Sequence, residues 1–100
     1  MYSKEELMKL KELINKDMGE KYFELGMAET ELLFSTNSIK ENGEGHKPFE
    51  TDITLGEFKE AVELRIMRVK RELEELGSLY LKTNSQLNIE LEEEQWELEL

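Results

Sequence analysis

Residues 54–82 read TLGEFKEAVELRIMRVKRELEELGSLYLK. Val62, Ile66, Val69, Leu73, Leu76 and Tyr80 recur at steps of 4, 3, 4, 3 and 4 residues. This is the apolar seam that one helix offers another in a coiled coil. Thr54 and Glu57 stand three apart at its start as a capping box, and Ile53 and Phe58 are placed to staple across the cap. The spacing predicts a helix over 55–82. Leu64, Met67, Leu79 and Leu81 fall off the seam, so this helix has apolar surface on more than one side and suits a bundle better than a lone pair.

The same device recurs at the N-terminus, where Ser3 and Glu6 form a second box with Tyr2 and Leu7 as its staple. A first helix is expected over 4–34, with an apolar face of Leu7, Leu10, Ile14, Met18, Tyr22, Leu25, Ala28 and Leu32. Gly19 and Gly26 lie inside it, each costing about 1 kcal/mol against Ala. Phe23, Met27 and Phe34 are off its face. From Ser35 the character changes. Ser35-Thr36-Asn37-Ser38, Asn42-Gly43, Gly45 and Pro48 are turn formers and helix breakers, which predicts a connector over 35–53. Two long helices joined by one connector pack antiparallel as a helical hairpin. The apolar residues left uncovered predict dimerisation into a four-helix bundle.

Beyond Lys82 the period shifts. Leu87, Ile89 and Leu91 alternate with polar residues, as do Trp96, Leu98 and Leu100. Paired about Glu92-Glu93-Glu94-Gln95, all six would share one face. The expectation is therefore a short acidic C-terminal β-hairpin over 84–100. The fold class is mainly α, and the hundred residues make a single domain.

Charge bounds the function. Twenty-four acids, all Glu except Asp17 and Asp52, face thirteen bases, for a net charge of −11. Such a field repels phosphate backbones and disfavours direct nucleic-acid binding, while it attracts a basic protein surface. There is no cysteine, hence no disulfide framework or thiolate metal site. The start, Met1-Tyr2-Ser3-Lys4-Glu5, has no signal-peptide character, and no apolar run suits a membrane span. The expectation is a cytoplasmic protein without a cofactor.

Candidate chemistry is sparse. Glu60 and Glu63 are spaced to lie along one helix face, and paired Glu-x-x-Glu on bundle helices can hold Mg²⁺ through oxygen ligands. Glu60-Ala61-Val62-Glu63 resembles the motif of the all-α MazG-type pyrophosphohydrolases. That resemblance implies a dimeric four-helix bundle and Mg-dependent nucleotide hydrolysis. The first helix, however, has no matching acidic pair. His46 stands alone in the connector, with no second His or Cys to complete a metal site. Arg65, Arg68, Lys70 and Arg71 form the one basic island. It either receives a phosphate or acidic ligand, with Arg65, Arg68 and Arg71 as the anion-binding set, or pairs with the chain's own glutamates. In the tail, Glu92, Glu93, Glu94, Glu97 and Glu99 surround Trp96 without a balancing cation. These carboxylates with an aromatic anchor are the candidate partner-binding surface, able to stand where a nucleic-acid- or nucleotide-handling protein expects phosphates. In size, acidity and absence of motifs the chain resembles small phage-encoded regulatory and anti-defence proteins. The leading expectation is a non-enzymatic protein-binding module, an inhibitor or adaptor on a basic surface. A structural assembly dimer, a dimer binding a small anion, and the pyrophosphohydrolase are the alternatives.

Overall fold

The computed structural model describes residues 2–48 and 51–99, with side chains through residue 89. Two α-helices pack against each other, α1 at Lys4–Asn42 and α2 at Leu55–Glu99. There is no strand among the described residues.

At both helix starts the N-cap hydroxyl satisfies the third helical amide and bonds the carboxylate of the same Glu. The Glu6 amide donates to Ser3 Oγ at 3.2 Å, and the Ser3 hydroxyl in turn donates to Glu6 Oε1 at 3.2 Å. At the start of α2 the Glu57 amide donates to Thr54 Oγ1 at 3.1 Å, and that hydroxyl donates to Glu57 Oε1 at 3.2 Å. The first amides of a helix have no partner within it, and in α2 the connector supplies them. Leu55 N–H donates to the His46 carbonyl at 2.8 Å and Gly56 N–H to the Glu44 carbonyl at 2.9 Å. This clamp brings the backbones close. A Cβ on Gly56 would stand 3.4 Å from Glu44 Cβ and 3.5 Å from its carbonyl oxygen.

α1 does not stop at Phe34. It runs through Ser35-Thr36-Asn37-Ser38 to Asn42, and the expected connector over 35–53 shrinks to 43–54. Those four residues weaken a helix because their side chains compete for backbone partners, but here the competition is settled within α1. Ser35 is fully buried and its hydroxyl donates to the Leu32 carbonyl at 2.9 Å. The stop is Gly43, whose φ of +88° is the left-handed helix cap, with its N–H donating to the Ile39 carbonyl at 2.8 Å. Asn42-Gly43 is thus a helix terminus.

The expected C-terminal hairpin over 84–100 is likewise replaced by helix, since α2 continues to Glu99. Thr83 and Leu87 are buried and extend the 3-and-4 spacing beyond Tyr80. The Glu-rich turn that the hairpin needed contains only good helix formers and no residue suited to a tight turn. Propagating the helix therefore costs less than reversing the chain.

Contacts divide the chain into two compact units, 1–20 with 73–100, and 21–72. In the first, Leu7, Ile14, Leu73, Leu87 and Thr83 are buried, and the Lys11 ammonium lies 5.6 Å from the Tyr80 ring centre, within cation–π range. In the second, Ala28, Val62 and Ile66 form a buried cluster with Leu25, Leu32 and Phe58 packed on it, and Leu55 and Val69 are fully buried.

One register differs from expectation. Tyr22, assigned above to the apolar face of α1, is exposed, and Lys21 is turned inward in its place. The buried positions Leu7, Ile14, Ala28 and Ser35 are multiples of seven residues apart, and Lys21 occupies the missing step. A helix that keeps one stripe against a partner follows a 3.5-residue period. The 3.6-residue face drifts off that stripe and reaches Tyr22 where the packing reaches Lys21.

Candidate functional site

The unit formed by 21–72 carries the features that bear on function: a closed charge network on one side of α1 and an uncharged apolar face on another. The network contains half of the basic island, Arg65 and Arg68. Arg65 Nη1 donates to Glu31 Oε2 at 3.2 Å, and its Nε faces Glu24 Oε1 at 3.8 Å, an ion-pair distance too long for a hydrogen bond. Arg68 Nη2 donates to the same Glu24 oxygen at 2.9 Å, while its Nε is 3.7 Å from Glu72 Oε1. Lys21, inward because of the seven-residue period, places its ammonium 2.7 Å from Glu72 Oε2 and 3.9 Å from Glu24 Oε2.

Three cations thus meet three carboxylates, two of them from α1 and one from α2. The Glu72 carboxylate beside it raises the Lys21 pKa above the ordinary lysine value against the opposing effect of burial. The Lys21 ammonium in turn holds Glu72 below the ordinary glutamate value, with Arg68 and Arg71 adding to the effect. All these side chains keep substantial exposure. In such a setting ion pairs add little stability and serve mainly to fix which residues face each other. Arg65 and Arg68 already face carboxylates of the chain, so an external anion would compete with Glu24, Glu31 and Glu72 for them. Arg71 is exposed.

The carboxylates that resemble a metal motif do not converge. Glu60 and Glu63 are both exposed, and Glu63 Oε1 lies 3.9 Å from Lys59 Nζ. Among the described residues, no three His, Asp or Glu side chains are grouped as metal ligands. His46 is exposed, and its carbonyl is engaged by Leu55 N–H. Glu92, Glu93, Glu94, Trp96, Glu97 and Glu99 fall on the helical backbone of α2, and their side chains lie outside the described residues. Three consecutive helical positions diverge around the axis, so Glu92, Glu93 and Glu94 no longer share one hairpin edge.

The uncharged face lies on α1. Tyr22, Phe23, Gly26, Met27 and Thr30, with Glu31 at the edge, line an open and almost wholly apolar groove of about 550 Å³. Thr30 turns its hydroxyl back to the Gly26 carbonyl at 3.0 Å, which leaves its methyl to the groove. Phe23 and Met27 were identifiable as off-seam residues. Tyr22 and Leu33 join them only once the seven-residue register is known. A second, partly open cavity of about 230 Å³ is lined by Phe34, Pro48, Thr51, Ile53 and Phe58. It brings the expected staple residues Ile53 and Phe58 to one place. Leu64 and Met67, off-seam on α2, are exposed as their positions require. Among the described residues, no helix is long and apolar enough to cross a membrane.

No protein-family model, curated protein sequence or solved structure matches the chain.

Proposed function

We propose that the chain is a small acidic, non-enzymatic protein-binding module of the cytoplasm, acting as a homodimer in which two helical pairs form a four-helix bundle. It occupies a basic surface of another protein as an inhibitor or adaptor, in the manner of small phage-encoded regulatory and anti-defence proteins. The supporting observation is the internal pairing of three cations, two of them from the basic island. Lys21, Arg65 and Arg68 are matched inside the chain by Glu24, Glu31 and Glu72, so the net charge of −11 is carried by the rest of the surface. That surface attracts cationic grooves of the kind found on nucleic-acid- and nucleotide-handling proteins, and it repels nucleic acid itself. The densest acidic run, Glu92, Glu93 and Glu94 beside Trp96, is the contact we assign to the partner.

The test is capture of a basic partner from host lysate by wild type, by a variant with Glu92, Glu93 and Glu94 all replaced by Gln, and by Trp96→Ala, each at low and high salt. Capture should weaken in both variants, and wild-type capture should fall as salt screens the attraction. Equal capture by all three proteins removes the tail from the mechanism. A partner held equally well at high salt removes the electrostatic reading.

The assembly-dimer alternative has its own support in the uncharged face of α1. The anion-binding alternative requires Arg65 and Arg68 to abandon their present partners. The pyrophosphohydrolase alternative requires acids to gather around Glu60 and Glu63, which stand apart in solvent.

A further inference from the structure

The outer face of α1 between Tyr22 and Leu33 is uncharged at each of its positions: Tyr22, Phe23, Gly26, Met27, Thr30 and Leu33. In a chain with 37% charged residues, an uncharged face on a water-facing helix calls for a cause. Tyr22 is 58% exposed, Phe23 72%, Met27 49% and Leu33 62%. Taking large side chains at roughly 200 Å² each, these four alone leave about 450 to 500 Å² open to water. That matches the largest apolar patch of a typical monomer, and such patches mark interaction sites. It is also more than half of the about 800 Å² that each partner contributes to a standard stable interface.

We infer that this face is the homodimer interface, packed isologously on the same face of a second copy with the two α1 helices antiparallel. The area is what selects a second copy, since two such faces packed on each other bury about 900 to 1,000 Å² from these side chains, near the roughly 1,000 Å² that a specific interface needs. Reversing the helix about a point near residue 28 brings Gly26 near Thr30 of the other copy, sets Phe23 and Leu33 toward the two ends, and leaves the exposed Glu29 level with Met27. The two smallest residues of the face then meet where the helices cross. Gly26, like Gly19, leaves open space on the helix surface. A Cβ there would meet nothing within 4 Å in the single chain, and a helix-interior glycine is unfavourable against Ala. A second backbone passing close by gives it a purpose.

Charge permits the arrangement at one edge of the face. Glu24 and Glu31 border the face, and both are neutralised by Arg65 and Arg68. Bringing two copies together therefore does not oppose unpaired carboxylates at that edge. The remaining repulsion comes from the net charge of −11 on each copy. It is long-ranged, so salt should strengthen this dimer and weaken the contact with a basic partner. The inference rests on the homodimer part of the reading above, with the two helical pairs joined through α1 side by side in place of an enclosed bundle core, and is independent of the acidic contact.

Sedimentation equilibrium of the purified full chain tests it, with Phe23→Glu and Met27→Glu on the face and Leu64→Glu on the outer side of α2 as the comparison. All three sites are exposed, and circular dichroism checks that helicity is kept. Wild type and Leu64→Glu should dimerise, more tightly as salt rises. Phe23→Glu and Met27→Glu should each weaken the dimer by roughly 100-fold or more, as expected when an interface anchor is replaced in both copies. A wild-type dimer that survives both face variants overturns the interface and leaves dimerisation standing. A wild type that stays monomeric at all concentrations overturns the interface and the homodimer together, while leaving the acidic contact to its own test.

Discussion

Replacing glycine by alanine should have opposite signs at two places in α1, and the difference tests where that helix ends. Gly19 lies inside α1, where an added Cβ meets nothing within 4 Å. Gly19→Ala removes a glycine penalty of about 1 kcal/mol in a helix interior. Gly43 has equal room around it, yet its φ of +88° puts an alanine in the left-handed region. That conformation costs a non-glycine residue about 1–2 kcal/mol. For a domain of this size, 1 kcal/mol corresponds to a melting-temperature shift of about 4–8 °C. Thermal unfolding followed by circular dichroism should show Gly19→Ala melting higher by about that amount and Gly43→Ala lower by at least as much. No steric clash contributes at either site, so the contrast isolates backbone conformation. If Gly43→Ala melted like wild type, α1 would not terminate in a left-handed cap at residue 43. The placement of 35–42 in the helix would then be refuted along with it.

Two further outcomes follow from the packing and the charge network. Leu55 is fully buried beside the connector clamp, so Leu55→Ala should destabilise by about 2–5 kcal/mol in urea unfolding, whereas the exposed Leu64→Ala should stay within about 0.5 kcal/mol of wild type. The Lys21–Glu72 pair predicts a stability plateau with two edges. The raised pKa of Lys21 contributes stability that is fully present below the unfolded lysine pKa and lost as pH rises through the folded value. The lowered pKa of Glu72 contributes stability present above the unfolded glutamate pKa and lost as pH falls through the folded value. Urea midpoints measured across pH should therefore fall off less at both edges in Lys21→Met than in wild type. Parallel profiles would show that the pair does not contribute.

The sequence by itself determined the helical class, both helix starts and the off-seam residues. Each rests on local information. A capping box is written in four consecutive residues, and a seam is written in spacing. Ser3 with Glu6, and Thr54 with Glu57, form the bonds their positions imply, and Leu64 and Met67 are exposed where the heptad leaves them. The helix ends were not legible in the same way. Ser35 is a poor helix former whose place in the helix comes from burial at a seven-residue position. The tail's alternation of Leu, Ile and Glu reads equally as strand, until Thr83 and Leu87 are seen to carry the seam onward. Tertiary packing decided these points, because burying one more turn against a partner helix outweighs a propensity difference of a few tenths of a kcal/mol per residue. Only packing could also show what Arg65 and Arg68 of the basic island face. Arg65 and Arg68 are cationic in any reading, but whether they await a ligand depends on which residues of α1 stand opposite. The 3.5-residue period that packing imposes turns Lys21 inward, places Glu24 and Glu31 against the two arginines, and exposes Tyr22 with the face that we assign to a second copy.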